Sequence, residues 1–380
     1  MADYFENKDY SDYFKSLENR INSEELNKPA VTDTEKEKIS KSTYKKPKQK
    51  KLFVVFRLKK SVLAVFSALI LCIVTIIVVT NVPKKSDKPK SAQTETSSKT
   101  ETAENKVKKV SEIKYFQDSE TTDIPSDNDC AAGIVIDKTK NRIVAVRNGH
   151  KRMFPASTVK IMTVLVAAEN IKDFNQTFTM TLSITDPLYI AEATVAGFSN
   201  KEEVNMTDLL YGTILPSGAD AATALAITVA GSEENFVKLM NNKVKELGLK
   251  DTHFDNATGL HSENNYTSAY DLAVILDAAM QNDICKKVLS TYQYTTAKTL
   301  QHPDGILLSS TLFSYMYGTE PETATILGGK TGFVNESGYC VASFGKANST
   351  NNPYIVVTLH NSSKWPAFYG QIALYKEFAK

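Results

Sequence analysis

An α+β domain carried on one antiparallel sheet of five strands is the fold class this sequence predicts, and three observations predict it. Two alternating apolar segments, Ala131–Asp137 and Arg142–Arg147, flank the turn Lys138-Thr139-Lys140-Asn141, the pattern of a β-hairpin. Segments with helical apolar spacing then dominate as far as residue 279. Strand patterns return in three late segments and are followed by one more helix. Strands, a helical block and strands again bring both strand groups into one sheet beside a helical subdomain.

The helical periods run over Ser157–Asn170, Met206–Leu215, Ala219–Val229, Glu233–Leu247 and Ala269–Ala279. Gly231 and Gly248 stand where a helix stops. The late strands are expected at Ala324–Phe333, Ser337–Lys346 and Pro353–Asn361, and the last helix at Pro366–Phe378. No internal repeat is visible.

Over its 380 residues the chain is 42% apolar and 23% charged, an ordinary average that conceals unlike parts. Residues 1–60 hold too few apolar positions to bury a core and read as a disordered cytoplasmic tail. Aromatics at Tyr4, Phe5, Tyr10, Tyr13 and Phe14 leave open a short partner-binding helix there. Ser61–Val82 is a run of 22 residues without a charge. At about 1.5 Å per residue a helix of that length crosses a hydrocarbon core of roughly 30 Å. It is expected to be a transmembrane helix, since a buried soluble helix is rarely apolar on every face and no small-residue cleavage site closes the run. Nine Lys or Arg lie in the 20 residues before it and five in the 20 after it. That bias predicts a cytoplasmic N-terminus and an extracytoplasmic C-terminal part. Residues 83–125 read as a flexible linker rich in Lys, Ser, Thr and Glu, and residues 126–380 as the folded domain.

A net charge of +2 gives no argument for nucleic acid. Four cysteines are too few for a disulfide framework. A bridge such as Cys285 to Cys340 stays open, but buried free thiols at Cys130, Cys285 and Cys340 are expected. The five histidines show no paired metal-ligand spacing and no Gly-x-Ser-x-Gly elbow occurs. Zinc peptidase and α/β-hydrolase chemistry are therefore disfavoured. Neither metal nor cofactor is called for, and the oligomeric state is left open.

Three elements carry a different chemistry. Ser157 opens the first helix and Lys160 follows three residues on, on the same face. A serine hydroxyl needs a base to become a nucleophile, and a lysine whose pKa is lowered by burial and a second cation can be that base. Three further Ser-x-x-Lys tetrads, beginning at Ser42, Ser111 and Ser343, fall in polar stretches or on a strand. The second element is Lys330-Thr331-Gly332 at the end of a strand pattern. On an edge strand a lysine beside a hydroxyl can hold a carboxylate, with glycine allowing close approach. Taken alone, the tripeptide reads more readily as a surface lysine beside a turn. The third is the loop Pro216-Ser217-Gly218-Ala219-Asp220, where Ser217 also reads as a plain helix cap.

Together and in this order the three elements are the signature set of penicillin-recognising serine enzymes. From about residue 128 to 375 the sequence resembles the D-alanyl-D-alanine carboxypeptidase family, the low-molecular-weight penicillin-binding proteins of serine peptidase family S11. The resemblance runs beyond the motifs, through FPASTVKIMTVLVAAE, DLLYGTILPSGADAATALA, FVKLMNNKVKELGLKDTHFDNATGL and GGKTGFVNESGYC. It implies a β-lactamase/transpeptidase-like fold and a serine carboxypeptidase that removes the terminal D-alanine from peptidoglycan stem pentapeptides, with β-lactams as covalent inhibitors. It implies that Ser157 is acylated, Lys160 takes its proton while neutral, and Ser217 relays a proton to the leaving amine. Lys330 and Thr331, beside Gly332, would bind the terminal carboxylate, and the N–H groups of Ser157 and Phe333 would form the oxyanion hole. Three departures stand out. Ala219 replaces the usual Asn, Phe333 stands where His is common, and no arginine follows Arg152. Losing the amide at 219 removes a hydrogen-bond donor of a kind worth roughly 2.7–4 kcal/mol. Two alternatives follow: a catalytically weak wall-binding or morphogenesis protein, and a β-lactamase of the same fold.

Overall fold

The turn after the first long strand closes because Asp137 Oδ1 accepts from the N–H groups of Thr139 (2.9 Å) and Lys140 (3.2 Å), while Asn141 takes a left-handed φ of 51°. The computed structural model describes residues 113–316, 318–319 and 321–380. In chain order it contains β1 (Thr122–Asp123), β2 (Ala132–Asp137), β3 (Arg142–Arg147), a 3₁₀ turn (Ala156–Val159), α1 (Lys160–Asn170), β4 (Thr177–Thr179), α2 (Leu182–Ile190), β5 (Glu203–Asn205), α3 (Met206–Ile214), α4 (Ala219–Ala230) and α5 (Glu233–Glu246). There follow α6 (Ala269–Gln281), α7 (Asp283–Leu289), β6 (Gln293–Thr295), β7 (Leu307–Ser309), α8 (Thr311–Met316), β8 (Ala324–Val334), β9 (Gly338–Ala347), β10 (Pro353–Asn361) and α9 (Lys364–Phe378).

The main sheet has the order β1-β3-β2-β10-β9-β8. It therefore has six strands, not the five expected, and β1 runs parallel to β3 while every other pairing is antiparallel. A two-residue strand with both side chains exposed leaves no alternation to detect. The segment that carries it also moves the start of the domain. Tyr115 and Ile124 are buried, and the Tyr115 hydroxyl donates to Asp277 of α6. Residues 113–125 thus pack on the domain instead of belonging to the linker.

Apolar side chains cover both faces of the sheet. On one face α6 and the helical block enclose α1, whose residues Lys160–Ala168 are all buried. On the other, α9 and α8 close a second core around Val341, Val356 and Tyr375. Ser232, Ser268 and Asn282 cap α5, α6 and α7 with side-chain acceptors, and Gly231 ends α4 at φ 78°, as side-chain capping and left-handed glycine predict. The expected helix at Ser157 begins as the 3₁₀ turn and becomes α-helical at Lys160. Cys130, Cys285 and Cys340 are free and buried. Among the described residues no helix is long and apolar enough to cross a membrane. The tail, the apolar run 61–82 and the linker up to residue 112 lie outside the described residues.

Candidate active site

Ala156, at a left-handed φ of 47°, turns the chain so that Ser157 enters the 3₁₀ turn ahead of α1. Lys160, one turn on, is buried, and its Nζ donates to Ser157 Oγ at 3.0 Å and to the carbonyl of Thr258. Burial lowers the Lys160 pKa to about 7, against the opposing pull of the Asp220 charge. An amine poised there, in contact with a hydroxyl, is suited to take its proton near neutral pH.

Lys330 lies on β8, the edge strand that follows the helical block, and is also buried. Its Nζ donates to Ser217 Oγ at 2.9 Å and to the Thr331 carbonyl at 2.7 Å. Burial first, and the charge of Lys160 second, hold its pKa well below the usual lysine range. Two ammonium groups in one buried pocket disfavour each other. Ser217 is not a helix cap: Gly218 occupies that position without a side-chain bond, and Ser217 is held at a left-handed φ of 69° with its hydroxyl on Lys330. A non-glycine residue there costs about 1–3 kcal/mol, held by its surroundings. Those surroundings are the bonds from Gly218 N to Gly212 O (2.9 Å) and from Ala219 N to Thr194 O (2.8 Å).

Gly332 fixes the distance between strand and helix start. A Cβ on it would lie 2.8 Å from Ser157 N and 3.0 Å from Thr158 N, so only glycine lets β8 approach so closely. The next residue, Phe333, is 48% exposed and stacks on Tyr339 with ring centroids 4.4 Å apart. All seven residues singled out in the sequence (Ser157, Lys160, Ser217, Lys330, Thr331, Gly332 and Phe333) therefore belong to one helix start, one loop and one edge strand that meet. Ala219 is buried with its N–H turned to Thr194.

Sequence reasoning missed three contributors. The loop at 256–260 offers the Thr258 carbonyl to Lys160. Asn256 Oδ1 ties it by accepting from Gly259 N (2.7 Å) and Thr258 N (3.2 Å), and Gly259 at φ 78° lets it pass against Ala156, whose oxygen a Cβ would strike. Thr311 Oγ1 bonds Thr331 Oγ1 at 2.8 Å, setting a second hydroxyl beside the first. Asp220, buried, accepts from Ala196 N (2.7 Å), Gly197 N (3.1 Å) and Phe198 N (3.3 Å), which holds the loop whose Thr194 carbonyl receives Ala219. The stretch Asn256-Ala257-Thr258-Gly259 lies inside a segment that carries the family resemblance, but nothing local in it points to residue 160. Among the described residues no group of His, Cys, Asp and Glu could hold a metal ion.

Comparison with known proteins agrees with this geometry. The family model of D-alanyl-D-alanine carboxypeptidases matches residues 115–363. The D-alanyl-D-alanine carboxypeptidase DacF of Bacillus subtilis is 30% identical over 225 residues, 58% of this chain and 54% of that protein. DacA of Escherichia coli is 34% identical over 161 residues, 40% of each. The chain spans about half the length of the curated relatives it matches. Among solved structures, the Streptomyces K15 DD-transpeptidase superposes with a TM-score of 0.57 at 27% identity, covering 66% of this chain and 97% of that one. Penicillin-binding protein 5 from Haemophilus influenzae superposes with a TM-score of 0.57 at 25% identity, covering 67% and 70%. A match over 115–363 together with the shared fold means that the chain belongs to the D-alanyl-D-alanine carboxypeptidase family, peptidase family S11.

Proposed function

We propose that the protein is a serine D-Ala-D-Ala carboxypeptidase that removes the terminal D-alanine of peptidoglycan stem pentapeptides and is acylated by β-lactams. The observation that carries this reading is the Lys160 amine 3.0 Å from Ser157 Oγ, with the Lys330–Ser217 pair in the same cleft. The peptide's terminal carboxylate docks on Lys330, Thr331 and Thr311. The carbonyl of the penultimate D-alanine enters the N–H groups of Ser157 and Phe333. Neutral Lys160 takes the Ser157 proton as Oγ bonds the carbonyl carbon. Oxygen charge on the tetrahedral adduct is stabilised by the two N–H groups. The C–N bond then breaks as Ser217 hands a proton to the leaving amine and is reprotonated from the lysines. Water releases the acyl group, with Lys160 again as base.

We further propose that the apolar run 61–82 anchors the protein in the cell membrane as a single span, N-terminus cytoplasmic, with the domain outside the cell near its substrate. Ala219, which offers no side-chain amide, favours slow turnover of that same reaction. The test uses a fluorescent penicillin and a D-Ala-D-Ala pentapeptide on purified protein. A covalent adduct on Ser157 and release of one D-alanine are expected. Equal labelling of the Ser157→Ala variant would sink the proposal.

A further inference from the structure

The loop that carries Ser217 crosses the cleft from end to end. At its start the carbonyl of Leu215 accepts from Thr311 N at 3.0 Å, and at its finish Ala219 N donates to Thr194 O at 2.8 Å. Ser217, between them, meets Lys330. A peptide whose terminal carboxylate rests on Lys330, Thr331 and Thr311 therefore occupies the Leu215 end. The residues before its scissile bond leave by the Thr194 end. Consecutive Cα atoms are about 3.8 Å apart, so the third stem residue, one step before the acylating D-alanine, emerges beside Thr194.

A cavity of about 620 Å³ adjoins that end, lined by residues on both sides of Thr194. Tyr189, Ile190, Val195 and Phe198 give it an apolar wall, and of the described residues lining it only Glu192 and Asp220 are charged. Tyr189, Ile190 and Val195 are 86%, 81% and 42% exposed. Single exposed apolar side chains are ordinary, whereas several on one cavity mark a binding surface. Asp220 is buried, with its oxygens turned to the N–H groups of Ala196, Gly197 and Phe198. Glu192 is exposed, and among the described residues its carboxylate has no hydrogen bond or ion pair.

Glu192 also stands against two local preferences. It follows α2 at a left-handed φ of 50°, in a helix ending closed by Ala193 N on Leu188 O (2.9 Å) and Glu192 N on Tyr189 O (3.1 Å), where glycine is usual. An acid there faces the negative end of the helix dipole. Local rules are broken in this way chiefly at functional positions. From Asp173 to Asn200 the chain carries Asp173, Asp186 and Glu192 and no Lys or Arg, so a cation arriving here meets charge of one sign.

We propose that this cavity receives the side chain of the third stem residue and selects an amine-ended diamino acid, its methylenes lying on Tyr189, Ile190 and Val195 and its ammonium reaching Glu192. A flexible stem of that kind covers apolar surface while its charged head stays in water. An amine already joined to another chain through an amide carries no charge. The pocket thus favours stems whose side-chain amine is free, and the protein acts ahead of the acyl transfer that consumes that amine.

Such a pocket has a use only if the cleft beside it does the chemistry proposed above, and the experiment separates the two. Full-length protein is labelled with a fluorescent penicillin in the presence of stem pentapeptides ending in D-Ala-D-Ala, with lysine, norleucine or Nε-acetyl-lysine as third residue. The lysine peptide is expected to half-protect Ser157 at a concentration about twofold to fivefold below either uncharged peptide, the range of one partly exposed ion pair. That gap is expected to shrink in about 1 M salt. In Glu192→Gln the three peptides are expected to protect alike, whereas a merely structural role for Glu192 would weaken all three and keep their ranking. Should that variant not fold, the ranking and its salt response in the parental protein decide alone. Equal protection by all three in the parental protein, or protection by none, overturns the inference and leaves the acyl-enzyme standing. If that protein also sediments as a dimer that Tyr189→Ser dissolves, the apolar wall belongs to a second copy instead. Absence of penicillin label on Ser157 overturns the function itself.

Discussion

Lys330 Nζ sits 2.9 Å from Ser217 Oγ across 113 residues of chain, and both groups are buried. Removing the hydroxyl strips the amine of one of its two acceptors and, under the proposed mechanism, the leaving group of its proton donor. Ser217→Ala is expected to slow acylation by about 10²–10⁴-fold, the usual share of a general acid. It also leaves a buried donor short of a partner, at about 1–3 kcal/mol, so a lower Tm should accompany the lower rate. Rapid-mixing measurements with a fluorescent penicillin and a thermal melt check both.

The pH dependence has a definite sign. Lys160 accepts a proton only when neutral, which is its form above a pKa of about 7. The second-order acylation constant, which reports the free enzyme, is expected to fall about tenfold for each pH unit below that value and to level off just above it. A profile flat down to pH 5 would remove Lys160 as the base.

Gly332→Ala would bring a methyl group to within 2.8 Å of Ser157 N. Main chain cannot swing aside as a side chain can, so β8 must retreat from the helix start. Overpacking of this kind costs about 1–3 kcal/mol. A fall in Tm and loss of penicillin labelling are expected together, and labelling at the parental rate would contradict the seam described here.

Ala219→Asn restores an amide at the loop. A donor of that kind is worth about 10²–10³ in rate where it reaches the reacting carbonyl, so pentapeptide cleavage should rise by at least about tenfold. An unchanged rate would mean that the Thr258 carbonyl already does what the amide would do for Lys160.

Shortening the domain to begin at residue 126 deletes Tyr115 and Ile124, both buried, and leaves Asp277 without the Tyr115 hydroxyl. Loss of a buried aromatic alone costs about 3–5 kcal/mol. A domain starting at 113 is therefore expected to melt at a clearly higher temperature than one starting at 126.

What the sequence disclosed and what it hid have a common cause. Ser157 and Lys160 are one helical turn apart, and Lys330, Thr331 and Gly332 are adjacent, so their partnership is written in spacing alone. The long strands announce themselves by apolar and β-branched residues between turn signals, and β9 and β10, covered on both faces, each bury six residues in a row. The Thr258 carbonyl reaches Lys160 across 98 residues, and any residue type could have supplied it. Thr311 meets Thr331 only because α8 packs on the edge strand, and Asp220 stands in the first turn of α4, where the helix dipole alone favours an acid. The short elements β1, β4 to β7, α7 and α8 lack the length for a period to emerge, and α2, as long as α3, carries Pro187 and buries only Ile184 and Leu188. Tertiary contact, not local preference, holds them.

The contact of Gly332 with the Ser157 main chain carries one last implication. Strand and nucleophile meet backbone to backbone, with no side chain between them to grow or shrink as a lineage diverges. The aperture of the cleft is thus insulated from most of the substitutions that separate two sequences. Divergence can rewrite which molecules the rim welcomes while the gap into which they must fit keeps its width.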